Sequence, residues 1–197
     1  MFRDADLLDK LARYLAGNIG SLVSSKSIAD YLKSSGRSVS TETIDNYLRA
    51  LEEAYLFYRA RRNDLRGKGL MKTHNKFYLV DTGLRLMLQG SDHAREGKVL
   101  ENIVYFELLR RGYQVSVGKH YAQEIDFVAD APGTRHYYQV TQSMLDDEVK
   151  KRELKPLQAL KDNHPKTILS TDPLLQEEWI EGIHHQNVID FLLADWD

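Results

Sequence analysis

Three apolar stripes of helical period, joined by short polar links, fill the first 55 residues and leave few ways for this chain to begin folding. Leu7, Leu8, Leu11, Tyr14 and Leu15 recur at helical spacing between Asp4 and Gly17. Ser24 and Ser25 precede a second stretch, Lys26 to Ser35, with Ile28, Tyr31 and Leu32 on one face and Gly36 just past its end. Ser40 and Thr41 open a third, with Ile44, Tyr47, Leu48, Leu51 and Tyr55 at i, i+3, i+4, i+7 and i+11. The four-residue link Arg37–Ser40 is the spacing of a helix-turn-helix. Amphipathic helices this short hide their stripes only against one another, so the three share one core.

The apolar period then changes. Two β-rich runs, Tyr55 to Arg62 and Lys76 to Asp81, flank a polar stretch, Asn63 to Lys68, and predict a hairpin. A hairpin directly after a helix-turn-helix is a wing. Asp81 to Gly90 reads as a short helix closing a winged helix-turn-helix domain over residues 1–90, and Ser91 to Arg95 as a polar linker. Residues 96–197 begin with a helix, Glu96 to Gly112. Strands are predicted at 114–117, 124–130 and 136–141, with Pro132 and Gly133 at i+1 and i+2 of a type II turn. A helix from Leu145 to Leu160, interrupted or kinked at Pro156, a strand at 166–170 and an apolar segment at 188–193 complete an α/β pattern.

Charge divides unevenly along the chain. Residues 1–90 hold 15 Lys and Arg against 10 Asp and Glu, a net of +5, and the rest carries −7. That asymmetry predicts a first half that faces phosphate or a partner. The third helix is a poor base reader: Glu42, Asp45, Glu52 and Glu53 oppose the single base Arg49, although Asn46 and Arg49 are able to meet base edges. The wing is better suited to DNA. Arg59, Arg61, Arg62, Arg66, Lys68, Lys72 and Lys76 are opposed only by Asp64, a composition for backbone contact rather than sequence reading. A solvated hairpin edge guarded by charge accounts for the same residues.

In the second half, alternation along Glu124-Ile-Asp-Phe-Val places Glu124, Asp126 and Val128 on one side and Ile125 and Phe127 on the other. The paired strand sets Tyr137, Gln139 and Thr141 together, so a hairpin brings Asp126, Gln139 and Thr141 to one face. A helix carboxylate, Glu101 or Glu107, completes an oxygen set suited to Mg2+ or Mn2+. An exposed polar face on a half-buried hairpin is the commoner fate of such residues.

Gly97-Lys-Val-Leu-Glu101-Asn-Ile-Val, Glu124-Ile-Asp126-Phe-Val and Tyr138-Gln139-Val-Thr141 together resemble the PD-(D/E)XK nuclease superfamily. With Lys76-Phe-Tyr-Leu-Val-Asp81-Thr-Gly-Leu, Lys151-Arg-Glu-Leu-Lys155-Pro-Leu and Ile168-Leu-Ser-Thr171-Asp172, nearly the whole chain resembles the C-terminal region of a family of bacterial and archaeal AAA+ ATPases. In that family a winged helix and a restriction-endonuclease-like mixed sheet flanked by helices follow the ATPase domain. The resemblance implies that Glu101 is the helix carboxylate, Asp126 the central metal-binding aspartate and Gln139 the (D/E)XK acid. Thr141 stands where the lysine belongs, and a hydroxyl supplies neither its charge nor its reach. Lys150 or Lys151 would have to migrate in from the next helix. The resemblance thus implies a module that binds nucleic acid or a partner, either the ATPase domain or a subunit of that family, with a degenerate nuclease-like site. A metal-dependent nuclease or junction-processing enzyme, and a protein-interaction module meeting a basic surface through the acidic third helix, are the rival expectations.

Several classes are excluded or disfavoured. No GxxxxGK(S/T) occurs, so no P-loop is present, and the resemblance implies that the ATPase domain is missing from this chain. With no cysteine there is no disulfide framework or thiolate chemistry. The seven histidines are scattered without zinc-ligand spacing. The acidic start and the lack of a long apolar run lead to the expectation of a soluble cytoplasmic protein with no membrane association.

Overall fold

The computed structural model describes residues 4–67, 69–70, 74–90, 96–172 and 178–194. In chain order the first elements are α1 (Ala5–Gly17), α2 (Ser25–Ser34), α3 (Thr41–Glu53), β1 (Phe57–Ala60), β2 (Arg62–Asp64), β3 (Gly69–Leu70), β4 (Lys76–Leu79) and α4 (Thr82–Gln89). Then come α5 (Glu96–Arg110), β5 (Gln114–His120), β6 (Gln123–Ala131), β7 (Thr134–Val140), α6 (Asp147–Gln158), β8 (Lys166–Ser170), β9 (Glu178–Ile180), β10 (Ile183–Asn187) and α7 (Val188–Leu193). This is a mixed α/β chain in two compact units, one of residues 1–60 and 72–94, the other of residues 61–71 and 95–197.

In the first unit, Asp4, Ser24 and Ser40 cap the three helices, their side chains accepting from the N–H groups of Leu7, Ser27 and Thr43. Ser24 and Ser27 close a reciprocal capping box. Leu7, Leu11, Leu15, Ile28, Leu32, Ile44, Leu48 and Leu51 are all buried, as the stripes require, whereas Tyr31 and Tyr55, also assigned to them, are exposed, Tyr55 lying past the end of α3. The link between the second and third helices is 35–40, longer than expected because α2 ends at Ser34. Gly36 turns it at φ 82°. β1 and β4 pair antiparallel from Phe57↔Leu79 to Ala60↔Lys76.

The residues between that pair are not its loop. β2 runs parallel to β5, with Arg62, Asn63 and Asp64 opposite Val117, Gly118 and Lys119, and β3 pairs with β2 at the edge. Val117 N–H donates to Arg61 O at 2.9 Å and Leu65 N–H to Lys119 O at 3.0 Å. The division therefore differs from the expected 1–90 and 96–197: residues 61–71, the body of the expected wing, fall in the second unit, with β2 and β3 in its sheet. Arg62-Asn-Asp64 has no apolar alternation to betray a strand. Backbone pairing and the single apolar anchor Leu65 hold it.

The eight-stranded sheet has the order β3-β2-β5-β6-β7-β8-β10-β9. β5, β6 and β7 are antiparallel, whereas β7-β8 and β8-β10 are parallel. Tyr137 joins the cluster of Ile125, Val128, Leu154, Leu157 and Ile168 beneath α6. Its neighbour Tyr138 meets Phe191 of α7 with ring centroids 5.7 Å apart, and Phe127 meets Tyr105 of α5 at 5.9 Å. Successive strand residues point to opposite faces, so α6 covers one face of the sheet and α7 the other. α6 runs through Pro156 rather than stopping there, losing only the hydrogen bond that proline cannot donate. Gly133 takes φ 78° between Ala131 and Thr134, as a type II turn demands. Among the described residues, no helix is long and apolar enough to cross a membrane.

Candidate functional site

The register of β5 on β6 decides where Asp126 goes. Ser116 faces Val128 and Gly118 faces Ile125, so β6 spends three steps where β5 spends two, and the extra residue lies at Asp126–Phe127. A bulge there re-aims the side chains around it. It also corrects the expected alternation: Ile125 and Val128, assigned to opposite sides, share one core cluster. Gly118 permits this approach, since a Cβ there would lie 2.9 Å from Ile125 Cβ and 3.0 Å from Val128 Cγ2.

Asp126 and Gln139 then meet where the β6–β7 ladder ends. Its registered pairs run from Ala131↔Thr134 to Phe127↔Tyr138. One step on, side chains bridge the strands: Asp126 N–H donates to Gln139 Oε1 at 3.2 Å, and Val140 N–H to Asp126 Oδ2 at 3.0 Å. Gln139 Nε2 donates onward to Glu153 Oε2 on α6 at 3.0 Å. Arg152 holds the other oxygen, Glu153 Oε1, from Nε at 3.0 Å and Nη2 at 2.7 Å. The Gln139 amide orientation is thereby fixed, because a flip would set its oxygen against a carboxylate and its NH2 against an N–H. Asp126, Gln139 and Glu153 are all at most 8% exposed.

The remaining members of the expected site lie nearby in sequence but are differently engaged. Thr141 donates its hydroxyl to Ser143 O at 3.3 Å, and its N–H to Leu169 O at 3.0 Å. Glu101 is buried on α5 with Lys98 Nζ at 2.7 Å. Of the two lysines expected as replacements for the missing one, Lys151 is exposed and Lys150 half-buried. Among the described residues, no group of three or more His, Cys, Asp or Glu is arranged to hold a metal ion, so Glu101, Asp126 and Glu153 do not form a three-acid cage. The one member sequence reasoning missed is Glu153. The signal was present: it sits in an apolar stripe with Val149, Leu157 and Leu160, where a charge needs a partner.

A second buried network fixes the loop that follows β7. Asp172 Oδ2 accepts from Met144 N–H at 2.6 Å and from the Ser170 hydroxyl at 3.0 Å. Because that hydroxyl gives its proton to Asp172, His185 Nε2, 2.8 Å away, is the donor to Ser170 Oγ. Burial pushes the Asp172 carboxyl up. Hydrogen bonds from Ser143, the Met144 N–H and Ser170, with His185 near, outweigh burial and hold it below the usual aspartate value. The residue types are those of a hydrolase triad, but the carboxylate orients serine rather than histidine and Ser170 is fully buried. The network is a clamp.

The expected nucleic-acid contacts separate into three groups. Asn46 and Arg49 are exposed on α3, among the equally exposed Glu42, Asp45 and Glu53. Arg59 is not a free base: it grips Glu52 at 2.7 and 2.8 Å and lies over Phe77 at 5.3 Å. Lys76 is only 1% exposed, which corrects its place on a solvated wing. Arg61, Arg62 and Arg66 belong to the sheet edge of the second unit, and Lys68 and Lys72 lie outside the described residues. Redivided by unit, the charge asymmetry collapses to +1 and −3, and the base excess concentrates in residues 61–71, with four bases and one acid.

A model of a domain of unknown function (DUF8612) matches residues 2–95. An uncharacterised protein of Haemophilus influenzae is 41% identical over 191 residues, which are 97% of this chain and 47% of that protein. Uncharacterised protein MJ1544 of Methanocaldococcus jannaschii is 32% identical over 110 residues, 54% of this chain and 24% of its own length. The chain thus spans less than half the length of these curated relatives. The crystal structure of protein VC1899 from Vibrio cholerae matches at 13% identity and a TM-score of 0.28, covering 87% of this chain and 44% of that one. A likeness so slight carries no argument.

Proposed function

We propose that this chain is a non-catalytic nucleic-acid-binding module of a larger AAA+ ATPase, built from a winged helix and a restriction-endonuclease-like domain whose nuclease site is retired. The observation that carries the loss of catalysis is the Gln139 amide. It stands where an acid would hold a metal, and it spends its oxygen on the Asp126 N–H and its NH2 on Glu153. A hard divalent cation needs several free oxygens, and phosphodiester cleavage needs a cation to stabilise the developing charge. Here the lysine position holds Thr141, with its hydroxyl turned onto Ser143 O.

Binding is supported by the base excess of residues 61–71, a segment that belongs to the second unit and whose Arg62 and neighbour Arg61 lie along β2, instead of to the acidic α3. Two assays test the two halves of the reading. Supercoiled, linear and branched DNA incubated with Mg2+ or Mn2+ should stay intact; cleavage abolished by Asp126→Ala would overturn the non-catalytic half. Fluorescence anisotropy across a salt series should show affinity falling with salt. Neutralising Arg61, Arg62 and Arg66 together should lower the slope of log K against log salt by about 2 to 3, each phosphate contact being worth about 0.7–0.9. An unchanged slope would remove this edge from the binding surface.

A further inference from the structure

The tip of the β5–β6 hairpin carries a feature that phosphate binding alone does not use. His120 pairs with Gln123 across a two-residue turn, Tyr121-Ala122. Tyr121 occupies the left-handed region at φ 55°, where a side chain is disfavoured and glycine is the ordinary choice. Yet the ring is 64% exposed, so no core packing compensates for the strained backbone. Strain of this kind gathers at sites that hold ligands.

The parallel pairing of β2 with β5 sets the β2–β3 turn beside this one. Leu65 N–H bonds Lys119 O, and Arg66 reaches across so that its guanidinium lies 4.7 Å from the Tyr121 ring centroid. Arg66 is held only loosely by Asp64, with nitrogen–oxygen separations of 3.4 and 3.5 Å. An exposed aromatic ring with a cation over it presents stacking area and phosphate affinity together. Unpaired nucleic acid needs both, whereas a duplex keeps its base faces stacked internally.

We infer that the Tyr121–Arg66 pair stacks an unpaired nucleobase, so that this edge of the sheet binds single-stranded nucleic acid. The inference rests on the nucleic-acid reading of the preceding section and names the form of nucleic acid bound. The test is anisotropy with a labelled oligonucleotide, offered single-stranded and as its duplex, to the full chain and to variants at Tyr121. The full chain should bind the single strand more tightly. Tyr121→Ala should weaken single-strand binding roughly 5- to 150-fold, the worth of one stacked base, and leave duplex binding unchanged. Tyr121→Phe should retain binding. Tyr121→Gly should lose it while the melting temperature holds or rises, since glycine relieves the left-handed turn, and that result excludes a merely structural role. If the single strand binds but Tyr121→Ala does not weaken it, or weakens both forms alike, the stacking site is overturned and the broader reading stands. If neither form binds at low salt, the broader reading falls and this inference with it.

Discussion

Gln139→Glu is the substitution that most directly interrogates the proposed loss of catalysis, since it restores the acid that the nuclease resemblance implies there. The new carboxylate keeps an oxygen for the Asp126 N–H, but it replaces the donor that Gln139 Nε2 gives to Glu153 Oε2 at 3.0 Å. Two carboxylates would then meet at that distance with both residues at most 8% exposed. At an effective dielectric of about 20, two unit charges so close repel by about 5.5 kcal/mol. The pair escapes the full penalty by taking up one proton. For an ordinary glutamate pKa of about 4.3, holding one carboxyl protonated at pH 7 costs about 3.7 kcal/mol, which is therefore the ceiling. The shared proton raises the folded-state pKa above the unfolded value. The penalty is therefore absent below about pH 4, grows by about 1.4 kcal/mol per pH unit above it, and stands near 1 kcal/mol at about pH 5. Urea unfolding of wild type and variant at the two pH values reads this as a midpoint shift at constant slope. A variant as stable as wild type near pH 7, or a penalty that does not shrink on acidification, would refute the closed network. Recovery of the midpoint with millimolar Mn2+ would show instead that the site lacks only a charge, against a retired centre.

Three further outcomes follow from the same geometry. Gly118→Ala should destabilise by roughly 1–3 kcal/mol in urea unfolding, because its methyl meets Ile125 and Val128 at 3.0 Å or less with no flexible atom to yield. His136 is pushed down to about 4 by burial and then by His184, so the unfolded chain takes up a proton from about pH 6.5 downward while the folded one does not. Stability should fall by up to about 3 kcal/mol between those values, and His136→Phe should flatten that limb; an imidazole titrating above pH 6 by NMR would contradict it. Asp172→Ala should cost about 1–3 kcal/mol by stranding the buried Met144 N–H, with faster hydrogen exchange at residues 141–144 as its local signature.

The helices of the first unit were legible because each carries its own stripe and cap: Asp4, Ser24 and Ser40 all cap as their residue types predict. β7, β8 and α7 were legible for a similar reason, being apolar runs bounded by turns. β2 and β3 were not. A strand such as Arg62-Asn-Asp64 is held by its neighbour's backbone, and that leaves no mark on its side chains. β9 and β10 were missed likewise, with their histidines read only as scattered and without zinc-ligand spacing. His185 is buried against Ser170, and His184 stacks on Trp179 at 5.0 Å. In the candidate site, Asp126 and Gln139 were brought together by correct strand pairing despite an alternation that the bulge breaks. A one-residue bulge has no sequence signature here beyond Gly118 on the facing strand, whose missing Cβ admits it. Glu153 was legible in principle and overlooked.

The redistribution of charge is what moves the functional reading from one part of the molecule to another. Counted along the chain, the bases fall to a helix-turn-helix and its wing, and an acidic α3 is then a contradiction, since a net of −3 faces a polyanion. Counted by compact unit, the contradiction dissolves: the first unit carries +1, and the excess resides in a segment that completes the second unit's sheet. On the proposed reading α3 does not enter a groove, so the acid exposed on it opposes nothing. The exposed base Arg66 lies over the exposed ring of Tyr121 at the neighbouring turn, on a sheet whose buried Asp126 and Gln139 are tied to one another. On the proposed reading, in which the cutting chemistry is lost, the property left to act with is the holding of a strand at this charged, aromatic edge. Duplex affinity that survives neutralisation of Arg61, Arg62 and Arg66 would return the contact to Asn46 and Arg49 and undo this relocation.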